Sequence, residues 1–371
     1  MPDSQSQAAI DPQSIYDVLI IGAGPAGSSA AFYLAASHKV SVLLVDRYAF
    51  PREKACGDAI MPPALNELAM LGLVDEVRQR FQLVNHIGIW MNEKRFPFDE
   101  PIRGSELFQV GYVAPRAEFD ALLWQHALAA GASWMDQVII HKIGWEAGSI
   151  RAIGLRHGTE ISLTARLLII ANGSGSSLAL QLRQELEKQG CADALTQEAD
   201  PRARFVATRG YYAAIENLED GLEFYFPQRY GIPYCWVFPL QGGTANVGAI
   251  IRAHLSRKEK PEGTLQYFLQ SEAMRERMQT RPVRLKTAPV WAGLRGTALY
   301  GERVLVVGDA AALVDLNSAE GISGALYSGR LAAETALASR DYSLEALGGY
   351  GEAIRERYAR LYEEQLSRIP L

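Results

Sequence analysis

The feature that most constrains this chain is a glycine-rich turn between a short apolar segment and an alanine-rich one. Residues 16–21 (YDVLII) have the aliphatic, β-branched composition of a strand that is buried on both faces. The turn at residues 22–27 (GAGPAG) leads into an alanine-rich helix over residues 26–36, and residues 40–45 (VSVLLV) form a second buried strand. This strand–helix–strand order predicts a right-handed crossover and a parallel sheet.

The glycines of this turn have the GxGxxG spacing of a dinucleotide-binding site. Gly22 permits the tight turn, Gly24 lets the backbone approach a pyrophosphate, and Gly27 lets helix and strand pack closely. The start of the helix offers free N–H groups and a positive dipole end to the anion. Asp46 follows Gly27 by 19 residues, close to the expected spacing of about 20, and can accept hydrogen bonds from ribose hydroxyls. Arg47 can stack on adenine. A purely structural glycine turn is the alternative, but the flanking strands and helix favour dinucleotide binding.

A second segment, residues 304–322 (VLVVGDAAALVDLNSAEGI), distinguishes between nicotinamide and flavin dinucleotides. It resembles the second fingerprint of FAD-dependent oxidoreductases of the aromatic-hydroxylase fold. The resemblance implies that Asp309 binds the ribityl chain of the flavin and that the amides of Gly321 and Ile322 face the flavin ring. For Asp309, a helix-capping aspartate after a strand is the alternative.

Two shorter segments resemble other parts of the same fold. Residues 113–120 (VAPRAEFD) are similar to its RxxFD helix, which implies that Arg116 lies near the cofactor; a solvated arginine at a helix start is the alternative. Residues 171–176 (ANGSGS) resemble its ADGxxS segment, with Asn172 in place of the aspartate, which argues against NADPH binding there. The predicted cofactor-binding residues are Gly22, Gly24, Ala26, Gly27, Asp46, Arg47, Cys56, Gly57, Ala59, Arg116, Val138, Asp309, Gly321 and Ile322.

Two further motifs narrow the resemblance to one family. Residues 54–57 (KACG) have the pattern KxCG, and residues 234–239 (YCWVFP) have the pattern YxWxFP, followed by NVG at residues 246–248. With the FAD elements, these motifs resemble the geranylgeranyl reductase family over roughly residues 16–340. The resemblance implies that reduced FAD is used to reduce isolated carbon–carbon double bonds of polyprenyl chains. The halogenase motif WxWxIP is replaced by YCWVFP, which disfavours a halogenase.

The YxWxFP segment also predicts a substrate-binding surface. Side chains alternate between the faces of a strand, so Tyr234, Trp236 and Phe238 share one face. Such an aromatic wall suits an apolar chain beside a flavin, although aromatic stripes also form ordinary cores. Cys56, Tyr234 and Trp236 are the predicted catalytic residues. The Cys56 thiol can contact or protonate an intermediate, or be an inert buried thiol. Asp58 is either a proton donor or a loop acid.

The sequence departs from the family pattern at two places. The loop after Asp309 has Leu316 and Ala319 where the family usually has Pro and Gly, and we expect Leu316 to loosen the turn that faces the flavin. The chain also ends soon after a predicted helix over residues 343–366, whereas many family members continue with a C-terminal domain. Both departures bear on the predicted substrate class more than on the prediction of FAD binding.

The predicted fold is α/β, with a Rossmann-like FAD-binding domain whose parallel sheet is interrupted by an antiparallel β-sheet substrate domain. Residues 204–251 contain turn signals that predict about four antiparallel strands. Residues 134–141 are predicted as one strand, and residues 319–339 as a long helix. The predicted divisions are a disordered leader (1–14), the discontinuous FAD-binding domain (15–85, 110–175 and 298–340), the substrate domain (86–109 and 200–297) and a C-terminal helix (341–371).

Composition excludes several other functions. The formal net charge of −5 gives no reason to expect a nucleic-acid partner. Three scattered cysteines favour neither a disulfide framework nor a metal site, and fit a reducing compartment. The start of the chain lacks the features of a signal peptide, and no apolar run is long enough to cross a bilayer. We therefore expect a cytoplasmic protein with at most peripheral membrane contact.

The sequence thus predicts an FAD enzyme that reduces a prenyl lipid or another apolar substrate by hydride transfer. An external donor, NADPH or a ferredoxin-like protein, would supply the electrons, because no second GxGxxG occurs. An FAD-dependent hydroxylase that acts through a flavin hydroperoxide is the alternative enzyme. A flavin-bearing lipid carrier or redox partner is the non-enzymatic alternative.

Overall fold

The structure is a computed structural model, and it describes residues 14–91, 94–96, 100–102, 108–227, 234–254, 260–277 and 284–369. All but the last residue of the predicted leader lies outside the described residues. The described strands are β1 (Ile15–Ile21), β2 (Val42–Val45), β3 (Ala59–Ile60), β4 (Gln82–Val84), β5 (His86–Met91), β6 (Lys94–Arg95), β7 (Glu100–Pro101), β8 (Gly111–Val113), β9 (Ser133–Met135), β10 (Val138–Glu146), β11 (Ser149–Arg156), β12 (Thr159–Ile170), β13 (Arg204–Tyr212), β14 (Gly221–Phe226), β15 (Tyr234–Leu240), β16 (Thr244–Arg252), β17 (Lys286–Trp291), β18 (Tyr300–Gly301) and β19 (Val304–Val306). The described helices are α1 (Pro25–Ala36), α2 (Pro62–Met70), α3 (Val74–Arg80), α4 (Arg116–Ala129), α5 (Ser177–Gln189), α6 (Pro261–Leu269), α7 (Glu272–Arg275), α8 (Ile322–Ala338) and α9 (Leu344–Ser367).

The first sheet has the predicted parallel core. Its strand order is β10-β11-β12-β1-β2-β9, with β19 also pairing with β12. Strands β9, β2, β1, β12 and β19 pair in parallel, while β10, β11 and β12 form an antiparallel meander at one edge. Leu19, Leu43 and Leu168 at the centre are fully buried, which explains the unbroken aliphatic runs in the sequence. The Rossmann-like fold class is confirmed.

Helices α1 and α8, which come from distant parts of the chain, cross each other closely beside this sheet. A Cβ atom added at Gly329 in α8 would lie 2.3 Å from the carbonyl oxygen of Ala26 in α1. The Ser29 hydroxyl donates a hydrogen bond to the carbonyl of Leu326, 2.9 Å away. Glycine at this position therefore lets the helix after residue 320 pack directly on the helix that follows the glycine-rich turn.

The second sheet has the order β17-β13-β16-β15-β14-β5-β6, with β7 also pairing with β5. The four strands predicted between residues 204 and 251 are β13 to β16, and they pair in antiparallel fashion. Strand β5 pairs in parallel with β14, so one pair of this otherwise antiparallel sheet is parallel. A small sheet of β3, β8 and β4 lies apart from both.

Two predicted elements have different bounds in the structure. The predicted strand over residues 134–141 is wrong as a single element, because Gln137 has a φ of 56° and separates β9 from β10. The predicted helix over residues 319–339 begins only at Ile322. Ala319 has a φ of 54°, which is left-handed and incompatible with an α-helix.

Candidate active site

The glycine-rich turn is shaped by close backbone contacts. A Cβ atom at Gly22 would lie 2.4 Å from the carbonyl oxygen of Ala171, and one at Gly27 would lie 1.8 Å from the carbonyl oxygen of Gly22. Helix α1 has no acidic residue in its first turn, and Gly24 at its N-cap offers no side chain to bond the first amides. These amides are therefore available to an anion such as a pyrophosphate.

Asp46 lies at the end of β2 against this turn. Its Oδ2 accepts a hydrogen bond from the backbone N–H of Ala23 (2.8 Å), and its Oδ1 accepts one from the N–H of Tyr48 (2.9 Å). The carboxylate thus fixes the turn and keeps further lone pairs for a ribose. The Val138 N–H donates to the Asp46 carbonyl (2.9 Å), and the Arg47 guanidinium reaches the carbonyl of residue 172 (3.4 Å). Asp46 and Arg47, the residues predicted to contact the ribose and the adenine, therefore lie side by side at the end of β2. These two roles stay predictions.

Arg52 is a cation beside the turn that the sequence reasoning missed. Its Nη2 lies 3.5 Å from the position of a Cβ added at Gly24, and its Nη1 lies 2.9 Å from Asp120 Oδ2. The side chain is largely buried. An arginine in this place complements a bound phosphate, but one arginine in a loop forms no recognisable pattern.

The segments around Lys54 and Asp309 meet although they are distant in the chain. Lys54 Nζ lies 3.2 Å from Asp309 Oδ2. A Cβ atom at Gly321, the N-cap of α8, would lie 3.0 Å from Asp309 Oδ1, so glycine leaves room for the Asp309 carboxylate here. The KxCG motif and the second fingerprint therefore form one site.

A cavity of about 600 Å³ opens between these segments and the second sheet. The two FAD-fingerprint regions contribute Pro25, Asp309, Gly321 and Ile322, and the RxxFD helix contributes Arg116. The KxCG loop and the residues just after it contribute residues 54–59, and α9 contributes Arg357, Tyr358, Leu361 and Tyr362. Tyr234, Trp236 and Phe238 also line the cavity. Seven of the fourteen predicted cofactor-binding residues thus share one mostly apolar space with the predicted substrate-binding and catalytic residues, whereas the other seven, around the glycine-rich turn and Asp46, do not line it.

The aromatic residues of β15 form a wall of this cavity. Tyr234, Trp236 and Phe238 are nearly buried, and the Phe224 ring packs edge-on against Tyr234 and Phe238, with centroid distances of 5.2 and 5.1 Å. Cys235 points into a separate apolar core on the other face of the sheet. The strand alternation therefore directs the aromatic stripe towards the cavity.

Two glycines set the position of the Trp236 indole. A Cβ at Gly248 would lie 2.1 Å from Trp236 Cζ2, and a Cβ at Gly57 would lie 3.7 Å from Trp236 Nε1 and 3.0 Å from Phe238 Cε2. The indole Nε1–H donates to Asn246 Oδ1, 2.9 Å away. The ring is therefore enclosed by the KxCG loop on one side and by β16 on the other.

Comparison with known proteins identifies the family. A model of the FAD binding domain matches residues 15–329. The digeranylgeranylglycerophospholipid reductase of Methanoculleus marisnigri is 31% identical over 350 residues, which span 90% of this chain and 80% of the relative. The chain belongs to the geranylgeranyl reductase family of FAD-binding oxidoreductases. Another relative, the menaquinone reductase of Mycolicibacterium smegmatis, is 30% identical over 358 residues, spanning 93% of this chain and 81% of the relative.

A solved structure shares the fold of this family member. The geranylgeranyl bacteriochlorophyll reductase-like protein of Thermoplasma acidophilum superposes with a TM-score of 0.80 at 24% identity, over 94% of this chain and 85% of that one. The predictions of family, fold class, FAD binding and an FAD-dependent oxidoreductase are confirmed. The site fits FAD, because added Cβ atoms would fill the turn at Gly22 and Gly27 and the amides of α1 stay uncapped.

In this family member, the loop before α8 is firmly held, so the expectation that Leu316 loosens it is wrong. The Leu316 side chain is buried, and its N–H, which a proline would lack, donates to Gln365 Oε1 of α9 (3.2 Å). Gln365 Nε2 also donates to Asp315 Oδ2 (2.6 Å). Tyr234 donates to the Ser318 carbonyl. Helix α9 and the aromatic wall therefore fix the loop.

A polar cluster lies behind the aromatic wall. Asp58 is fully buried, and its Oδ2 accepts hydrogen bonds from the Tyr211 hydroxyl (2.7 Å) and from Asn246 Nδ2 (2.8 Å). Asn246 Nδ2 also donates to the Cys56 carbonyl (2.7 Å). Burial raises the pKa of Asp58 to about 6. Sequence reasoning singled out Cys56 and Asp58 but missed Tyr211, and it quoted Asn246 only as part of a motif.

Two of the predicted catalytic residues, Cys56 and Tyr234, have raised pKa values. Burial raises the pKa of the Cys56 thiol, and the nearby Asp58 carboxylate raises it further. Burial also raises the pKa of Tyr234. Both groups therefore keep their protons at neutral pH. Cys56 faces the cavity as a thiol and not as a thiolate nucleophile.

Arg116 is held rigidly at the cavity. Its Nε and Nη2 each lie 2.7 Å from an oxygen of Asp120, a bidentate pair that is almost completely buried. Burial alone would raise the pKa of Asp120, but the ion pairs with Arg116 and Arg52 lower it. The pair therefore stays charged and keeps Arg116 close to Cys56.

The described part of the chain contains no helix with the length and apolarity needed to cross a membrane. Among the same residues, no group of three or more histidine, cysteine or acidic side chains is arranged to hold a metal ion.

Proposed function

We propose that this protein reduces isolated carbon–carbon double bonds in the isoprenoid chain of a lipid. The observation that carries the proposal is the single cavity in which the FAD fingerprints meet Cys56 and the aromatic wall. Bound FAD in its reduced form supplies a hydride. The two relatives named as reductases of menaquinone and of digeranylgeranylglycerophospholipid support this substrate class, because both names denote lipids with isoprenoid chains.

The chain's own residues position the alkene and exclude water. Tyr234, Trp236 and Phe238 bind the isoprenoid chain through apolar contact. Their rings are fixed by edge-on packing and by the hydrogen bonds of Tyr234 and Trp236, so little ordering remains to be done when substrate binds. Cys56 carries a proton on Sγ beside this wall and is the predicted contact for the reacting carbon.

The electrons come from an external donor, either NADPH or a ferredoxin-like protein. Asn172 stands where related FAD enzymes carry an aspartate, which favours a donor that binds only transiently. A lipid substrate also requires peripheral contact with a membrane. Leu361 of α9 is 46% exposed and lines the cavity, so it places an apolar side chain at an accessible part of the cavity wall.

The test is to reduce the FAD-loaded protein anaerobically with dithionite and incubate it with geranylgeranyl lipids or with a menaquinone. Mass spectrometry should show products heavier by a pair of hydrogen atoms per reduced double bond. Cys56→Ala should lower the rate, whereas Cys191→Ala, which changes a cysteine outside the cavity lining, should not. Unchanged lipids with all substrates, or a flavin hydroperoxide whose decay yields hydroxylated product in oxygen, would refute the proposal.

A further inference from the structure

The carboxyl group of Asp58 is held on one oxygen and unpartnered on the other. Oδ2 accepts two hydrogen bonds, from Tyr211 and Asn246. Oδ1 is buried and has no hydrogen-bond partner among the described residues. Asp58 also lines the cavity. Because both donors bind Oδ2, a proton on this carboxyl group resides on Oδ1.

The backbone of Asp58 is held in an unusual conformation. Its φ is 68°, in the left-handed region that few residues other than glycine adopt. The Asp58 N–H donates to Cys56 Sγ (3.3 Å), and Asn246 bonds both the Cys56 carbonyl and the Asp58 carboxylate. A non-glycine residue persists in this region when its surroundings fix it, and such positions cluster at functional sites. The loop is therefore built around the position of this carboxyl group.

Tyr211 lies next to Asp58 and is the less buried of the two residues. Its ring lies on β13 with the Arg209 guanidinium 4.0 Å from the ring centroid, and its hydroxyl donates to Asp58 Oδ2. Tyr211 is partly exposed, whereas Asp58 is fully buried. Tyr211 is therefore the partly exposed neighbour through which a proton from solvent can reach Asp58.

We propose that Asp58 supplies the proton that accompanies hydride addition, and that Tyr211 replaces it from solvent. This inference rests on the proposed function. The π bond of the alkene breaks and two C–H bonds form, one with the hydride of reduced FAD and one with the proton from Asp58 Oδ1. Tyr211 takes up a proton from solvent as it passes its own hydroxyl proton to Oδ2, and a half-turn of the carboxyl group about its Cβ–Cγ bond then brings that proton to the Oδ1 position. An external reductant restores the reduced FAD.

The charges around Asp58 suit this role. Burial raises its pKa, while the hydrogen bonds from Tyr211 and Asn246 and the nearby guanidinium groups of Arg209 and Arg116 lower it, leaving a value of about 6. Cys56 in the same loop is a neutral thiol. An acid with a pKa close to the working pH both gives and regains a proton readily.

The test follows single-turnover reoxidation of dithionite-reduced, FAD-loaded protein with a geranylgeranyl lipid across the pH range around 6. The wild-type rate should fall above this pKa. Asp58→Asn is nearly isosteric, and asparagine tolerates left-handed φ. It should abolish the inflection and lower the rate on the order of 10²-fold.

Tyr211→Phe removes a hydrogen bond that lowers the pKa of Asp58, so the inflection should move to higher pH. Tyr212→Phe, on the opposite face of β13, should leave it unchanged.

A readout independent of turnover is the infrared absorption of the protonated carboxyl group. Difference spectra of the FAD-loaded protein should show this band titrating near pH 6 in the wild type and not in Asp58→Asn. An active wild type together with an Asp58→Asn variant that keeps the wild-type pH profile would overturn this inference alone. A wild type that binds FAD but reduces no isoprenoid lipid would overturn the proposed function and this inference with it.

Discussion

Replacing Gly248 with alanine should displace the indole of Trp236. The added Cβ would lie 2.1 Å from Trp236 Cζ2 and 2.5 Å from Cη2, far inside van der Waals contact. The alanine cannot move away from the ring, because its Cβ would also lie 2.6 Å from the backbone carbonyl oxygen of Thr208. The ring must therefore shift, and its Nε1–H must lose the hydrogen bond to Asn246.

The cost follows from these two effects. Overpacking of a closely packed core costs about 1–3 kcal/mol. A buried donor that loses its partner costs about 1–3 kcal/mol. Because both effects come from one movement of the ring, we expect the free energy of unfolding to fall by about 2–4 kcal/mol. The wall of the cavity would shift with the ring, so prenyl-lipid turnover should fall too.

The assay is guanidinium unfolding at saturating FAD, with equal m-values required for comparison. Gly144→Ala in β10 is the matched control, since a Cβ there meets nothing within 4 Å, and it should change stability by less than about 0.5 kcal/mol. Phenylalanine lacks the two indole atoms that clash, so Gly248→Ala should cost much less in a Trp236→Phe background. Equal costs in both backgrounds, or a cost no larger than that of the control, would refute the reasoning.

Three further predictions concern other parts of the site. The Asp58 carboxyl group has a pKa of about 6 in the folded state and about 3.8 in the unfolded state. The wild-type free energy of unfolding, relative to that of Asp58→Asn, should therefore fall by about 3 kcal/mol as the pH rises from the lower to the higher of these values. Denaturant unfolding at each pH measures this difference. Ala319→Gly should raise the free energy of unfolding by roughly 0.5–1 kcal/mol, and the melting temperature with it, because it relieves a left-handed φ, whereas Ala121→Gly in the interior of α4 should cost about 1 kcal/mol. Gln365→Met removes two hydrogen bonds, so it should lower the free energy of unfolding by about 1–3 kcal/mol and speed proteolysis of the loop before α8. Gln189→Met, on the protein surface, should change neither quantity.

The cofactor side of the site could be predicted because its information is local. The glycine spacing, the strand–helix–strand order and Asp46 all lie within about one βαβ unit. Close backbone contacts require glycine at positions 22 and 27, and this requirement can be recognised in the sequence. The same reasoning placed the aromatic stripe on one strand face, because alternation is a property of any strand.

The polar cluster could not be predicted because strand register creates it. Tyr211 and Asn246 are cross-strand partners in β13 and β16, a pairing that composition does not specify. Asp58 reaches them from a loop far away in the chain. The held turn at Leu316 was missed for a similar reason, since its partner Gln365 lies 49 residues further on in α9. Contacts of this kind depend on how whole elements pack, which no local pattern records.

Asn246 is the residue that makes the wall and the proton site one structure. The Trp236 indole can only donate a hydrogen bond, so it must face the amide oxygen of Asn246. An ionised Asp58 can only accept, so it must face the amide nitrogen. An aspartate at position 246 would set two carboxylates against each other, and an apolar residue would leave the indole N–H without a partner. Only a side chain with a donor and an acceptor on one short, planar group meets both requirements. The orientation of the aromatic wall is thereby tied to the position of the acid behind it.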